Sequence, residues 1–181
     1  ATLDLYGLKD PSSDGSFAAN CLLARRMAER GVRFVHLYSG GEENQKSWDG
    51  HLNIESHHRG FAGEFDRPVA GLLQDLKQRG LFDNTAIVCC GEFGRLPVSQ
   101  NGTGRDHNRN AFTMWFAGGG FLPGLIYGET DEFGYKSVVN RVSVPDMIAT
   151  VCHQLGLDHR RVHYPHGGRL ETPSDVTVTG A

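Results

Sequence analysis

No stretch of the chain approaches the roughly 20 consecutive apolar residues of a membrane-spanning helix, and no charged, apolar and small-residue succession marks a signal peptide. A membrane partner is therefore not expected. No run of five like charges occurs, and 18 Lys and Arg against 21 Asp and Glu leave a formal net charge of only -3. The basic field that a phosphate backbone requires is missing, which excludes nucleic acid as an expected partner. Neither a G-x-G-x-x-G nor a P-loop pattern is present, so a nucleotide-binding enzyme has no support. The four cysteines, Cys21, Cys89, Cys90 and Cys152, are scattered, lie in apolar stretches and form no C-x-x-C pair. They read as buried thiols; a nucleophilic role for Cys89 or Cys90 is disfavoured, because a thiol inside an apolar strand is hard to ionise. Internal repeats and low-complexity tracts are absent.

What is present is an ordinary globular composition, 39% hydrophobic and 22% charged over 181 residues, enough for one real core. Residues 1–16, rich in Asp, Ser, Gly and Pro, read as a linker or a connection within a larger domain. The spacing predicts helices over 17–30, ended by Gly31, over 59–79, ended by Gly80 and interrupted by Pro68, and from Ser143-Val144-Pro145-Asp146 to Gly156. Strands are predicted over 32–38, 85–90 and 111–117, the last two apolar throughout as in strands covered on both faces. Helices alternating with such strands imply an α/β domain over 17–172: a three-layer α/β/α sandwich around a mostly parallel sheet, with a tail over 173–181.

In such a sheet ligands bind at the carboxyl ends of the strands, and two polar loops fall there. The first carries Asp49 and His51, which point alike on an extended backbone, followed by His57 and His58. The second carries Glu92 and Arg95 and then Gly104-Arg105-Asp106-His107-Asn108, where glycine lets backbone approach an anion. Carboxylates with imidazoles suit zinc or manganese, and a neighbouring arginine suits phosphate or sulfate. A solvated loop with an Asx turn at Asp49 and a structural Glu92–Arg95 salt bridge are the alternatives. His36, inside a strand, reads as a packed core histidine, His153 as flanking its helix, and His159, His163 and His166 as surface residues.

Five ordered motifs carry a resemblance that spans residues 5–169: Ala24-Arg25-Arg26-Met27-Ala28-Glu29-Arg30-Gly31-Val32-Arg33-Phe34-Val35, Trp48-Asp49-Gly50-His51, Gly91-Glu92-Phe93-Gly94-Arg95, Gly104-Arg105-Asp106-His107-Asn108 and Thr130-Asp131-Glu132-Phe133-Gly134-Tyr135. Together they resemble the bacterial family called domain of unknown function 1501, placed near the alkaline phosphatases and sulfatases. The resemblance implies an alkaline phosphatase-like fold, of which this chain is the carboxy-terminal part, and a two-metal site. It also implies a periplasmic or secreted protein and a catalytic Ser or Thr in a segment upstream of residue 1, so no catalytic nucleophile is expected here. Asp49 and His51 resemble the ligands of one metal and His107 the late histidine ligand, with Glu92 and Asp106 as further metal ligands. Arg95, Arg105, His57 and His58 are the expected anion binders, and the metal is expected to be zinc, with manganese or calcium as alternatives.

The implied activity is metal-dependent hydrolysis of phosphate or sulfate esters, on a small-molecule or polysaccharide substrate. One departure is plain: Glu92-Phe93 stands where those enzymes have Asp-His, which removes one imidazole, and Asp106-His107 is the other placement for that pair. A non-catalytic binding or scaffold domain that has lost its complete metal site is therefore the second expectation.

Overall fold

The computed structural model describes residues 2–9, 15–41 and 47–174. Its core is helical. Helix α1 (Thr2–Tyr6) and helix α2 (Phe17–Glu29) pack on the long helix α3 (Ile54–Gln78), and Tyr6, Leu8, Cys21, Leu22, Leu72 and Leu76 are buried together between them. The opening of the chain, expected as a connection, thus supplies Tyr6, whose side chain is completely enclosed. Residues 10–14 and 175–181, in the expected linker and tail, lie outside the described residues.

Local chemistry explains each helix. Ser16 caps α2 by accepting the Ala19 N–H at 3.1 Å, and Gly31 leaves the helix at φ +82°, a conformation that costs glycine little. Along α3, Pro68, Leu72 and Leu76 repeat every four residues and face the core beside Gly71 and Asp75. The helix passes through Pro68 without a break and starts five residues before the expected Arg59. Gly71 is required by close approach: a Cβ there would lie 2.7 Å from the Leu5 carbonyl oxygen, so glycine lets α1 lie against α3. Helix α4 (Val144–Gln154) agrees with expectation, with Ser143 and Asp146 forming a capping box and Pro145 in the first turn.

Among the described residues the expected parallel sheet is absent, and the sandwich expectation is corrected accordingly. Every ladder among the described residues is antiparallel and two-stranded. Strand β1 (Ile87–Cys89) pairs with β4 (Trp115–Ala117), β2 (Gly94–Arg95) with β3 (His107–Asn108), β5 (Glu129–Thr130) with β6 (Ser137–Val139), and β7 (Tyr164–His166) with β8 (Arg169–Glu171). The reason lies in the β1–β4 connection: parallel neighbours need a crossover, most often a helix, whereas residues 90–114 contain none and fold back as the β2–β3 ribbon. Residues 32–38 join no ladder. They keep the alternation of a strand, with Leu37 against the core and Phe34, His36 and Tyr38 turned outward, so His36 is exposed rather than packed inside. Cys90 is exposed too, whereas Cys21 is buried and pushed up to about 12 by desolvation. None of the described helices is long and apolar enough to cross a membrane.

Candidate metal centre

The Trp48-Asp49-Gly50-His51 segment is seated on the first half of α3. Trp48 lies 5.4 Å from Phe61 and 5.9 Å from Phe65 between ring centres, Phe65 in turn stacks on Phe17 of α2 at 5.4 Å, and the Trp48 indole N–H donates to Ser39 Oγ at 2.9 Å. The large ring thereby anchors a polar loop to the helical core. Beyond it the backbone is not extended as expected: Gly50 N–H donates to the Trp48 carbonyl and His51 N–H to the Asp49 carbonyl, two successive tight i to i+2 turns. Gly50 faces α3, where a Cβ would lie 2.6 Å from Ile54 Cδ1 and 2.9 Å from His57 Nδ1.

The second half of the site comes from the β2–β3 ribbon. Its register sets Arg95 directly opposite His107, so the two side chains share one face. The ribbon is stitched to the first loop across some fifty residues of sequence. Arg105 N–H donates to the Gly50 carbonyl at 3.1 Å, Ile54 N–H to the Thr103 carbonyl at 2.9 Å and Asn53 N–H to Thr103 Oγ1 at 3.2 Å. Gly104 makes this seam possible, since a Cβ there would overlap the His51 carbonyl oxygen at 1.9 Å. Next to His107, the buried Asn108 donates to the Gly134 carbonyl at 3.3 Å and accepts from Asn110 N–H at 3.0 Å. The Thr130–Tyr135 motif is thus a hairpin turn that braces the strand carrying His107.

Three of the expected ligands converge. Asp49 Oδ1 lies 2.9 Å from His51 Nε2 and 3.0 Å from His107 Nε2, and the two imidazole nitrogens are 3.2 Å apart. Arg95 Nη2 donates to the same Asp49 oxygen at 2.6 Å. Partial burial alone would raise the Asp49 pKa, but the hydrogen bonds from His107 and Arg95 and the charges of Arg95 and His51 outweigh it and hold the carboxyl at about 2. Asp49 is therefore an anion at any physiological pH. The donor set suits a divalent ion: ligands about 2.1 Å from zinc stand about 3.0 Å apart at right angles and about 3.4 Å apart in a tetrahedron, and the edges here, 2.9, 3.0 and 3.2 Å, lie at or near the short end of that range. One carboxylate and two imidazoles are also the ligand types of catalytic zinc sites that keep an open position.

The remaining expectations separate. Glu92 is exposed and lies outside this group, and Arg95 pairs with Asp49 rather than with Glu92. Following a strand did not aim Glu92 at the site. Asp106 approaches His51 from the far side, with Oδ1 at 3.8 Å from Nδ1, and is not a fourth ligand of the triangle. Arg105 turns its guanidinium back onto the Gly104 carbonyl at 2.6 Å. His57 and His58 are not loop residues: both sit in the first turns of α3, packed with aromatic rings, and His58 Nε2 lies 3.4 Å from the Trp48 carbonyl. Desolvation lowers the pKa of His58, which opposes its use as a cationic anion binder. His153 sits in the last turn of α4, His163 and His166 are exposed as expected, and the half-buried His159 bonds the Ser174 hydroxyl. Phe93 was not expected to contribute, yet its ring packs tilted against His107 at 4.3 Å and lies under the Arg95 guanidinium at 5.8 Å.

A family model described as "Protein of unknown function (DUF1501)" matches residues 1–178, and the chain belongs to that family. No curated protein and no solved structure gives a match.

Proposed function

We propose that this member of the family is a metal-dependent hydrolase of phosphate or sulfate esters, built on one divalent ion held by Asp49, His51 and His107. The observation that supports it is the triangle itself: three ligand atoms of the right chemistry within 3.2 Å of one another, brought together from loops some fifty residues apart. A bound zinc ion would polarise an ester oxygen and lower the pKa of a coordinated water. The protein's own groups supply the rest. Arg95, which donates to Asp49 Oδ1 at 2.6 Å and to the Arg105 carbonyl at 3.4 Å, supplies the cationic group nearest to where an oxyanion on the ion would lie. Asp49 stays ionised, and Phe93 restricts the swing of the half-exposed His107. Kinship with the phosphatases and sulfatases, a nucleophile from an upstream segment, a small-molecule or polysaccharide ester as substrate and export from the cytoplasm are parts of the same proposal, carried by the resemblance.

One observation favours the scaffold reading instead. Arg95 already satisfies Asp49 at 2.6 Å, so the cluster is electrically complete without an ion. Zinc titration and turnover of aryl phosphate and aryl sulfate, measured on the full-length protein that would carry the proposed nucleophile segment, decide between the two. The hydrolase reading expects one zinc ion per chain, turnover abolished by a chelator and restored by zinc, and loss of both properties in Asp49→Ala/His107→Ala. Zinc binding unchanged in that double variant contradicts the site, and zinc binding without any turnover leaves the scaffold.

A further inference from the structure

We infer that Asp106 is a positioning residue, the carboxylate that orients His51 for metal binding through the nitrogen the ion does not use. This rests on the metal reading above. The two nitrogens of the His51 ring face different neighbours: Nε2 meets Asp49 and His107 at 2.9 and 3.2 Å, while Nδ1 faces Asp106 Oδ1 at 3.8 Å. Because Asp106 and His107 are consecutive, one short segment clamps the imidazole from both sides. An ion on Nε2 lies away from Nδ1, so Asp106 cannot share it, and instead it meets the N–H that Nδ1 must carry when Nε2 holds the metal.

Asp106 is held for this task. Its backbone N–H donates to the Val98 carbonyl at 3.2 Å, its carbonyl accepts from Leu96 N–H at 2.8 Å, and Oδ2 accepts from Gln100 N–H at 2.9 Å. Oδ1 is left facing His51. At 3.8 Å the contact is longer than a hydrogen bond, so it would shorten by about 1 Å when the ring is drawn onto the ion. A carboxylate behind a metal-bound histidine fixes the tautomer, sets the ring plane and strengthens the ligand.

The test is zinc competition with a chromophoric chelator, together with nitrogen-edited NMR of the His51 ring, on the wild type and Asp106→Asn. Asparagine retains an acceptor for Gln100, which keeps the loop in place. The expected result is a loss of zinc affinity of about 10- to 100-fold. With it goes the downfield, slowly exchanging His51 Nδ1–H resonance of the zinc-loaded wild type. Unchanged affinity and an unchanged resonance in Asp106→Asn overturn the assignment. If zinc binding requires Asp49 and His107 but ignores Asp106, only this inference fails; if it ignores all three, the metal reading fails with it.

Discussion

Two carboxylates in this molecule each gather three donors, but donors of different kinds. Asp75, at the centre of the helical core, accepts from Tyr6 Oη at 3.0 Å, Arg25 Nε at 2.8 Å and Arg79 Nε at 2.7 Å, and both arginines go on to Glu29 at 2.5 and 2.9 Å. Asp49, at the junction of two loops, gathers Arg95, His51 and His107. Guanidinium groups only donate, and the Tyr6 hydroxyl is sealed in the core with its pKa raised by burial first and by Asp75 second, so the Asp75 cluster can only bind its helices together. An imidazole can exchange its N–H for a lone pair. On the proposed reading the Asp49 cluster trades its internal hydrogen bonds for bonds to a cation, which its partial exposure would admit. A count of donors around a carboxylate does not identify a site; the kind of donor does.

The largest expected effect separates the two clusters by stability. Removing Asp75 strands the buried Arg25 charge, and Asp75→Ala should cost about 3 to 5 kcal/mol in urea unfolding. Asp49→Ala, among partly solvated partners, should cost less than about 1 kcal/mol. Equal losses would break the comparison. Next, zinc at a hundred times its dissociation constant should stabilise the wild type by about 2.7 kcal/mol. Asp75→Asn should retain that increment, and Asp49→Ala should show none.

Two glycines sharpen the contrast further, because each marks a backbone contact that a methyl group would split. Gly71→Ala forces α1 off α3 and should lower stability by about 1 to 3 kcal/mol. Gly104→Ala opens the seam between the Asp49 and His107 loops, so its effect should fall mainly on zinc affinity, read by the same competition assay. The smallest effect is the pH dependence. The hydrogen bonds of Arg79 and Tyr6 and the charge of Arg25 outweigh the desolvation of Asp75, and its folded pKa is depressed. A depressed carboxyl stabilises the fold above its unfolded pKa of about 3.9, and that contribution fades as pH falls through the lower folded value. Asp75→Asn and Asp49→Asn should each flatten acid unfolding below about pH 4, because both carboxyls are held below their unfolded value.

How much of this was legible in the sequence follows from the range of the interactions. Helices α2 and α4 were readable because Gly31, Ser143 and Asp146 act within four residues. The true start of α3 was not, since Thr103 supplies the partners of Asn53 and Ile54 from fifty residues away. That displacement moved His57 and His58 from a supposed loop onto a helix. The strands 85–90 and 111–117 were found in outline, yet their antiparallel pairing depended on a connection that folds back as a ribbon instead of crossing as a helix. At the site, Asp49, His51 and His107 were legible as ligand types. Glu92 stands outside the triangle because a position after a strand does not fix where a side chain points, and the Arg95–His107 pairing is a matter of register that spacing alone does not encode.

The most direct test of the central claim is X-ray absorption at the zinc edge of the loaded protein. The account predicts a nitrogen and oxygen shell at about 2.0 to 2.1 Å with the outer scattering of two imidazoles, falling to one in His107→Ala. A sulfur shell at about 2.3 Å, or a spectrum that does not change when His107 is removed, would contradict it.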